Sequence, residues 1–512
     1  MDLPFGGPAA VPGTVYLVGG GPGDPGLLTL RGARLLSTAT FVAHDRLSPP
    51  EALSLCRDDA EVVDVGKQPD RHALKQDEIN ALLVERAAAG AAVVRFKGGD
   101  PFVLARGSEE AQSCHAAGVP FEVVPGITSG IAAPAYAGIP VTHRGTVPAF
   151  AVVTGHEDPT KGDTQVDYDA LARFPGTLLL YMGVGRLAEI AGALVAAGRP
   201  EDTPVALVQW GTTPGQRTVT GTLRNIAQRR DEAGLANPAM IVVGDVVALR
   251  DEIAWFEQRP LHGRCVLVPR TRHQAGELTE RLRGLGARVI EAPTIAIEPS
   301  RDPHRLRDAV AAAADGAYDW VVFTSANGVE GTWAQVDALG GDTRLFARVA
   351  VAAVGEATAA ALRDRGLRAD LVPQRQTAQA LGEALINQHG GPARALLPRA
   401  DIATPVLAQA LTGAGWTVDD VETYRTVPAG ALPTPAVEAL TGGAVDAVAF
   451  ASSSTARNLV SLLGRGLPET TRVVSIGPST SATCQELGLR VDAEAQPHDI
   501  DGLTAAVVRA LS

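Results

Sequence analysis

Cysteine is scarce and scattered in this chain. Its 512 residues include four, Cys56, Cys114, Cys265 and Cys484, and no two form a CxxC pair. That spacing suggests neither a zinc site nor a disulfide framework, and four free thiols in a reducing cytoplasm are expected. Long hydrophobic runs are also missing. No stretch of 18 or more apolar residues occurs, so no membrane span is expected. Positive charge is in short supply: the formal net charge is −12, and charged residues make up 20% with no long run of one sign. This argues against a nucleic-acid partner, which needs a basic stripe to neutralise phosphates. A polyanionic small molecule stays open, because a cleft can be locally basic on an acidic protein. His115, His143 and His156 lack metal-ligand spacing, and no metal is expected.

What is present is an alternation. Short apolar runs such as 14-TVYLVG-19, 92-AVVRF-96, 150-FAVVTG-155, 177-TLLLYMG-183 and 204-PVALVQWG-211 alternate with helical patterns such as 76-QDEINALLVERAAAG-90. Such alternation indicates α/β units with largely parallel sheets. The length suggests three to four compact units. Residues 1–13 are Pro/Gly-rich, without the basic and apolar regions of a signal peptide, and are expected to be a disordered tail. The second half repeats itself in three blocks. The segment 267–289 resembles 396–418, 319–331 resembles 446–458, and 348–373 resembles 472–495. A period this long means a duplicated domain. The segment 257-EQRPLHGR-264 separates the halves, and residues 257–263 suit a linker.

Three glycine-rich loops follow strands of the first half. The first, 18-VGGGPGDPGLLTLRG-32, contains GxGxxG as Gly21, Gly23 and Gly26, and Asp45 ends the next apolar run. That is the layout of a dinucleotide-binding unit. Pro22 and Pro25 count against it, because they lack the N–H groups a pyrophosphate cradle uses. Nicotinamide binding, a purely structural turn and a stiff turn beside some other ligand all stay open on residue types alone. The second loop, 95-RFKGGDPFVLARGSEE-110, offers close approach at Gly98 and Gly99 and a carboxylate at Asp100. The third, 124-VPGITSGIAAPAYAGIPVTHR-144, offers Thr128 and Ser129. A nucleoside with a cationic amino-acid tail needs such shallow walls, hydroxyls and a carboxylate.

These pieces, with HDRL (44–47), VGK (65–67), VTGH (153–156), YMG (181–183), QWGTTPGQ (209–216), GTL (221–223) and NPAMIVVGDVV (237–247), resemble the uroporphyrinogen-III C-methyltransferases over residues 14–250. The resemblance implies a tetrapyrrole methylase fold of two αβα domains over 14–256. It also implies two methyl transfers from S-adenosylmethionine to uroporphyrinogen III, giving precorrin-2 and S-adenosylhomocysteine. By resemblance, Pro22, Gly98, Gly99, Asp100, Val103, Thr128, Ser129, Met182 and Gly211 contact the methyl donor. Asp45 is the proton acceptor and Lys67 the proton donor, while Arg106, Glu109 and Arg144 handle the substrate. The chain has His44 where the family often has Tyr, and 104-LARGSEE-110 where it often has FGRGGEE. Taken singly, Asp45 reads as a helix cap, Lys67 as a solvated lysine, Arg106 with Glu109 as a surface ion pair, and Met182 as core filler.

Residues 264–512 resemble uroporphyrinogen-III synthase in VLVPRTR (266–272), FTSANGV (323–329), AVGEATAAAL (353–362), LLPRAD (396–401), YRTV (424–427), FASSSTARN (450–458) and IGPSTSATCQELGL (476–489). The resemblance implies a two-lobed fold with parallel sheets. One lobe is about 264–297 plus 428–512 and the other about 298–427. It implies cyclisation of hydroxymethylbilane without a cofactor. Tyr424 is the candidate for assisting departure of the substrate hydroxyl. Ser325, Thr358, Ser453, Ser479 and Thr480 are candidates for binding carboxylates or pyrroles. A homodimer through the methyltransferase half is also implied. The competing reading pairs an NAD-dependent oxidoreductase with a two-lobed regulatory ligand-binding module.

Overall fold

A computed structural model describes residues 5–66, 74–156, 165–269 and 272–512. The chain divides into two compact units. One is the chain up to Val266 with Glu280–Val289 and Leu511–Ser512, and the other is Leu267–Thr279 with Ile290–Ala510.

The first unit begins with five strands: β1 (Val15–Gly19), β2 (Phe41–His44), β3 (Glu61–Asp64), β4 (Val93–Lys97) and β5 (Phe121–Val124). Their order is β3-β2-β4-β1-β5, and every pair is parallel. Alternate residues of β1 serve two cores. Val15 and Leu17 join Phe41, Leu83 and Val93 on one face, while Tyr16 and Val18 join Leu35, Val42 and Phe96 on the other. A sheet buried on both faces is what near-continuous apolar strands require. The order separates β1 from β2 by β4. Asp45 therefore does not stand beside the first glycine loop, as the acidic residue of a dinucleotide unit would.

The next five strands are β6 (Phe150–Thr154), β7 (Thr177–Tyr181), β8 (Pro204–Gln209), β9 (Arg217–Thr222) and β10 (Ala239–Val243), in the order β6-β7-β10-β8-β9. This sheet is mixed: β6 and β7 are parallel, whereas β10 runs antiparallel to β7 and β8, and β8 antiparallel to β9. The cause is the short loop Trp210–Gln216, which has no room for a crossover helix and returns the chain as an antiparallel neighbour.

The remaining strands are β11 (Cys265–Val268), β12 (Arg288–Glu291), β13 (Ile295–Pro299), β14 (Trp320–Phe323), β15 (Ala350–Ala353), β16 (Arg394–Ala400), β17 (Thr417–Pro428), β18 (Ala447–Phe450), β19 (Arg472–Ser475) and β20 (Val491–Glu494). They form two sheets, β12-β11-β18-β19-β20 and β13-β17-β16-β14-β15. The duplication read from sequence appears as one spatial order used twice, with β17, β16, β14 and β15 corresponding to β12, β11, β18 and β19. Even a side-chain detail recurs: Asp370 Oδ2 accepts from Val351 N at 2.8 Å, and Asp492 Oδ2 from Val473 N at 2.8 Å. One sheet is contiguous in sequence. The other is interrupted between β12 and β18 by the whole of its sibling. The inserted lobe begins at Ile295 rather than near 298, because β13 pairs antiparallel with β17 from Ile295↔Pro428 onward.

The described part of the expected disordered tail, residues 5–13, is tied down, and so is the segment read as a linker. In the N-terminal tail, Arg31 pairs with Glu122 and also donates from Nη1 to Gly6 O and Pro8 O, while Ala10 N donates to Thr38 Oγ1 at 2.9 Å. In the connecting segment, Glu257 Oε1 accepts from Gln216 Nε2 at 2.8 Å and Thr218 Oγ1 at 2.5 Å, and Oε2 accepts from Arg250 Nη2 at 2.8 Å. Phe256 is buried against Tyr136 and His262, and Arg259 lies over the rings of Trp255 and Phe256. Polar, proline-bearing sequence signals a connection, but it does not reveal that side chains elsewhere await it.

Candidate active sites

Loops after five strands of the first unit converge, and their contacts explain their composition. Gly20 N donates to Lys97 O at 2.7 Å, and Gly21 and Gly99 exchange backbone hydrogen bonds of 3.2 and 2.7 Å. A side chain at Gly126 would overlap the Gly99 carbonyl, and one at Gly98 would sit 2.9 Å from the Leu47 carbonyl. These glycines are needed because backbone meets backbone. The N–H groups of Gly20 and Gly21 are spent on this packing and those of Asp24 and Gly26 on the Thr212 and Asp24 side chains, which counts against a pyrophosphate cradle. Asp100 staples two loops: Oδ1 accepts from Phe102 N at 2.8 Å and Oδ2 from Gly126 N at 3.1 Å.

The second αβα layer closes the ring. Tyr181 Oη lies 2.6 Å from Thr128 Oγ1 and accepts from Gly130 N at 2.5 Å, at the start of the helix Ser129–Tyr136. Met182 follows directly. Gly211 packs on Ala133 with no room for a side chain. Pro22 stands in the first loop between Gly21 and Gly23, and the backbone N–H of the following Asp24 donates to Thr212 Oγ1 at 3.0 Å. Asp24 Oδ2 accepts from Tyr136 Oη at 2.7 Å, and burial followed by this carboxylate pushes the phenol well above its ordinary value. Pro22, Gly98, Gly99, Asp100, Thr128, Ser129, Met182 and Gly211 thus lie on one connected set of loops, with half-buried Val103 beside them.

Among the described residues, five that are not glycine have positive φ: Leu104, Arg106, Met182, Trp210 and Thr212. All stand in these loops. Phe102, Leu104, Met182 and Trp210 are also large apolar side chains left exposed. Strained backbone and exposed hydrophobic surface gathered at strand ends mark a ligand site rather than packing. Met182 is therefore not core filler.

Asp45 follows β2 and is the visible end of a buried ionic cluster. Arg95 Nη2 donates to Asp45 Oδ1 at 2.7 Å and Nε donates to Glu110 Oε1 at 2.9 Å; Lys97 Nζ donates to the same Glu110 oxygen at 3.0 Å and lies 3.9 Å from Asp45 Oδ2. The side chains of Arg95, Lys97 and Glu110 are 2, 4 and 0% exposed, whereas Asp45 is 32% exposed. Burial first, and Arg95 second, hold the Lys97 ammonium below its usual range. Arg95, Lys97 and Glu110 were missed from sequence. The available signal was two cations at alternate positions of the strand 93-VVRFK-97, on one face of a sheet where an unpaired charge is costly.

Other candidates are placed differently. Lys67 lies outside the described residues. Arg106 and Glu109 form an exposed i,i+3 ion pair at 2.6 Å, which holds the Glu109 carboxyl low. Arg144 is exposed and lines an open recess formed by residues 142–148.

In the duplicated half, Tyr424 and Ser325 are brought together, with Tyr424 Oη 3.0 Å from Ser325 Oγ. Ser325 also caps the helix Ala326–Ala338 by accepting from Gly328 N. Tyr424 stands where β17 slips register against β16 at Arg399/Ala400, a bulge of the kind that re-aims a side chain. Half-buried Ser453 and exposed Ser479 are linked, with Ser453 Oγ donating to Ser479 O at 3.0 Å. Thr358 and Thr480, the third residues of the helices Glu356–Asp364 and Pro478–Glu486, are each 4% exposed. Their side chains are buried in this structure, at the first turns of those helices.

Comparison with known proteins matches this division. Residues 14–227 match the family model of tetrapyrrole (corrin/porphyrin) methylases, and residues 276–505 that of uroporphyrinogen-III synthase HemD. The porphyrin biosynthesis protein HemD of Ruminiclostridium josui is 35% identical over 479 residues, 93% of this chain and 94% of that one. The uroporphyrinogen-III C-methyltransferase of Bacillus subtilis is 48% identical over 281 residues, covering 55% of this chain and 58% of its own length. The S-adenosyl-L-methionine-dependent uroporphyrinogen III methyltransferase of Methanosarcina barkeri is 49% identical over 247 residues, 48% of this chain and 96% of its own. The paired oxidoreductase and regulatory-module reading finds no support. The chain belongs to the HemD family of porphyrin biosynthesis proteins, as a bifunctional enzyme that fuses a tetrapyrrole methylase to a uroporphyrinogen-III synthase.

Proposed function

We propose that the second half cyclises hydroxymethylbilane to uroporphyrinogen III and that the first half methylates this product twice with S-adenosylmethionine to give precorrin-2. The observation that carries the methyltransferase reading is Asp45, the one exposed carboxylate of a buried ionic cluster beside the convergent loops. The loops suit the methyl donor. Phe102, Leu104, Met182 and Trp210 offer apolar faces for a nucleoside, and Asp100 and Thr128 offer acceptors for hydroxyl or ammonium groups. When bound, the donor supplies an electrophilic methyl group on a sulfonium. The loops hold it by positioning, which dominates an in-line displacement. Methylating a ring carbon leaves the macrocycle cationic, and loss of a ring proton restores neutrality. Asp45 accepts that proton, a role that contributes about 10²–10⁴-fold. Arg144, exposed by its recess, pairs with substrate carboxylates. Lys67 is proposed as the proton donor on sequence grounds.

In the synthase, the Tyr424 phenol, set by Ser325, assists departure of the substrate hydroxyl, while Ser453 and Ser479 bind carboxylates. A homodimer is proposed through the first half, whose edge strand β6 leaves Phe150 and Val152 exposed. A cytoplasmic location is proposed from the four free cysteines, and no described helix is long and apolar enough to cross a membrane.

The test incubates the whole chain with hydroxymethylbilane and S-adenosylmethionine. Dimethylated type-III product is expected. Spontaneous type-I porphyrin alone would sink the synthase assignment. The Asp45→Asn variant should lose methylation by about 10²–10⁴-fold while cyclisation continues unchanged.

A further inference from the structure

Burying three charged groups together is not needed for stability, since well-packed apolar residues of similar volume hold such a position equally well or better. β4 could have continued as valine and phenylalanine. Instead Arg95 uses every guanidinium nitrogen: Nε on Glu110 Oε1, Nη2 on Asp45 Oδ1, and Nη1 near the carbonyls of Ala43 and Phe96 at 3.4 and 3.5 Å. Glu110 is itself fixed by Lys97 and by Gln76 Nε2 at 3.2 Å. The chain of contacts runs from the helix Gly107–Ala116 through β4 to the end of β2 and stops at the only member that reaches solvent.

We propose that Arg95 is a positioning residue for methyl transfer: anchored on Glu110, its guanidinium grips Asp45 Oδ1 and thereby presents Oδ2 as the proton acceptor. The inference rests on Asp45 as that acceptor. Among the described residues Oδ2 receives no hydrogen bond; Lys97 stands 3.9 Å away. Two cations balance two carboxylates while Asp45 is ionised. A proton arriving on Oδ2 leaves the cluster with one unit of excess positive charge, which favours return of the proton to water through the exposed side of Asp45. An arginine suits the task because its fork fixes orientation and its charge is permanent, whereas burial weakens that of Lys97.

The test is a double-mutant cycle in the full chain, with Arg95→Lys, Asp45→Asn and both together. Binding of S-adenosylhomocysteine, read by calorimetry, reports whether the first half is folded. Arg95→Lys is expected to bind it normally, to lower the kcat of methylation by up to about 10²-fold, and to leave the KM for uroporphyrinogen III within a few-fold. In the Asp45→Asn background the same change should lower kcat no further, because its effect passes through Asp45. Equal losses in both backgrounds, or no loss in either, overturn the inference and leave the acceptor reading intact. Full methylation by Asp45→Asn overturns the acceptor reading and the inference with it. If Arg95→Lys fails to bind S-adenosylhomocysteine, the charge-balanced Arg95→Met/Glu110→Leu double variant takes its place in the cycle and is read the same way.

Discussion

At the scale of single residues, the two halves differ in how their chemistry is held. Asp45 is held by charge, Tyr424 by a neutral hydrogen bond and a bulge. Tyr424→Phe should therefore leave the fold untouched, since the lost bond to Ser325 is worth about 1 kcal/mol, and should slow cyclisation while methylation of supplied uroporphyrinogen III stays normal. Unchanged cyclisation would reassign the phenol to packing. Cys484 allows a test with pH. Burial pushes its thiol up to about 11, so the native state favours the neutral form. Its stabilising effect is intact below the ordinary thiol range and is lost as pH rises through 9 towards 11. Native protein at pH 8 should leave Cys484 unalkylated by iodoacetamide, checked by mass spectrometry, and urea should expose it. Asp45 was legible from its motif, but its partners were not. A strand reading treats Arg95 and Lys97 as interruptions of an apolar run, and only the fold shows that Glu110, on a later helix, meets them.

At the scale of elements, the apolar runs became strands close to where they were read: 92–96 as Val93–Lys97 and 204–211 as Pro204–Gln209. Strand identity is local and so is legible. Strand order is not, and the mixed second sheet was missed because its antiparallel pairs depend on one short loop. The glycines make the convergence of loops possible. Gly126→Ala would drive a methyl group into the Gly99 carbonyl. It should weaken S-adenosylhomocysteine binding strongly in calorimetry and lower stability by about 1–3 kcal/mol. Glu257 is an element-scale residue too. It holds Gln216, whose Oε1 accepts from Thr212 N at 2.8 Å, and Thr212 in turn caps the first glycine loop. Glu257→Ala should raise the KM for S-adenosylmethionine with less effect on kcat, which steady-state kinetics will read. An unaltered KM would make the segment a mere connection.

At the scale of the whole molecule, the duplication was visible in sequence as three repeated blocks, but the blocks alone did not give the way each sheet assembles; the discontinuous lobe, 264–297 with 428–512, came only from the resemblance to the synthases. Similar blocks in the same linear order suggest two domains side by side. The chain instead closes one sheet from neighbouring blocks and leaves the other open across the insertion, because each copy of β14–β15 pairs with a first block on a different side of it. This has a consequence for the order of events during synthesis. Strands β11 and β12 leave the ribosome first, yet β18–β20 must be translated before their sheet is complete. The inserted lobe, contiguous from β13 to β17, can fold meanwhile on its own local contacts. Until then β11 presents an unpaired edge to a sibling sheet built on the same plan. Refolding followed by pulse proteolysis should protect residues 295–428 ahead of 265–291. The interleaved lobes of this chain thus carry an intramolecular hazard of strand exchange, one that grows with the likeness of the two copies and that their divergence in sequence relieves.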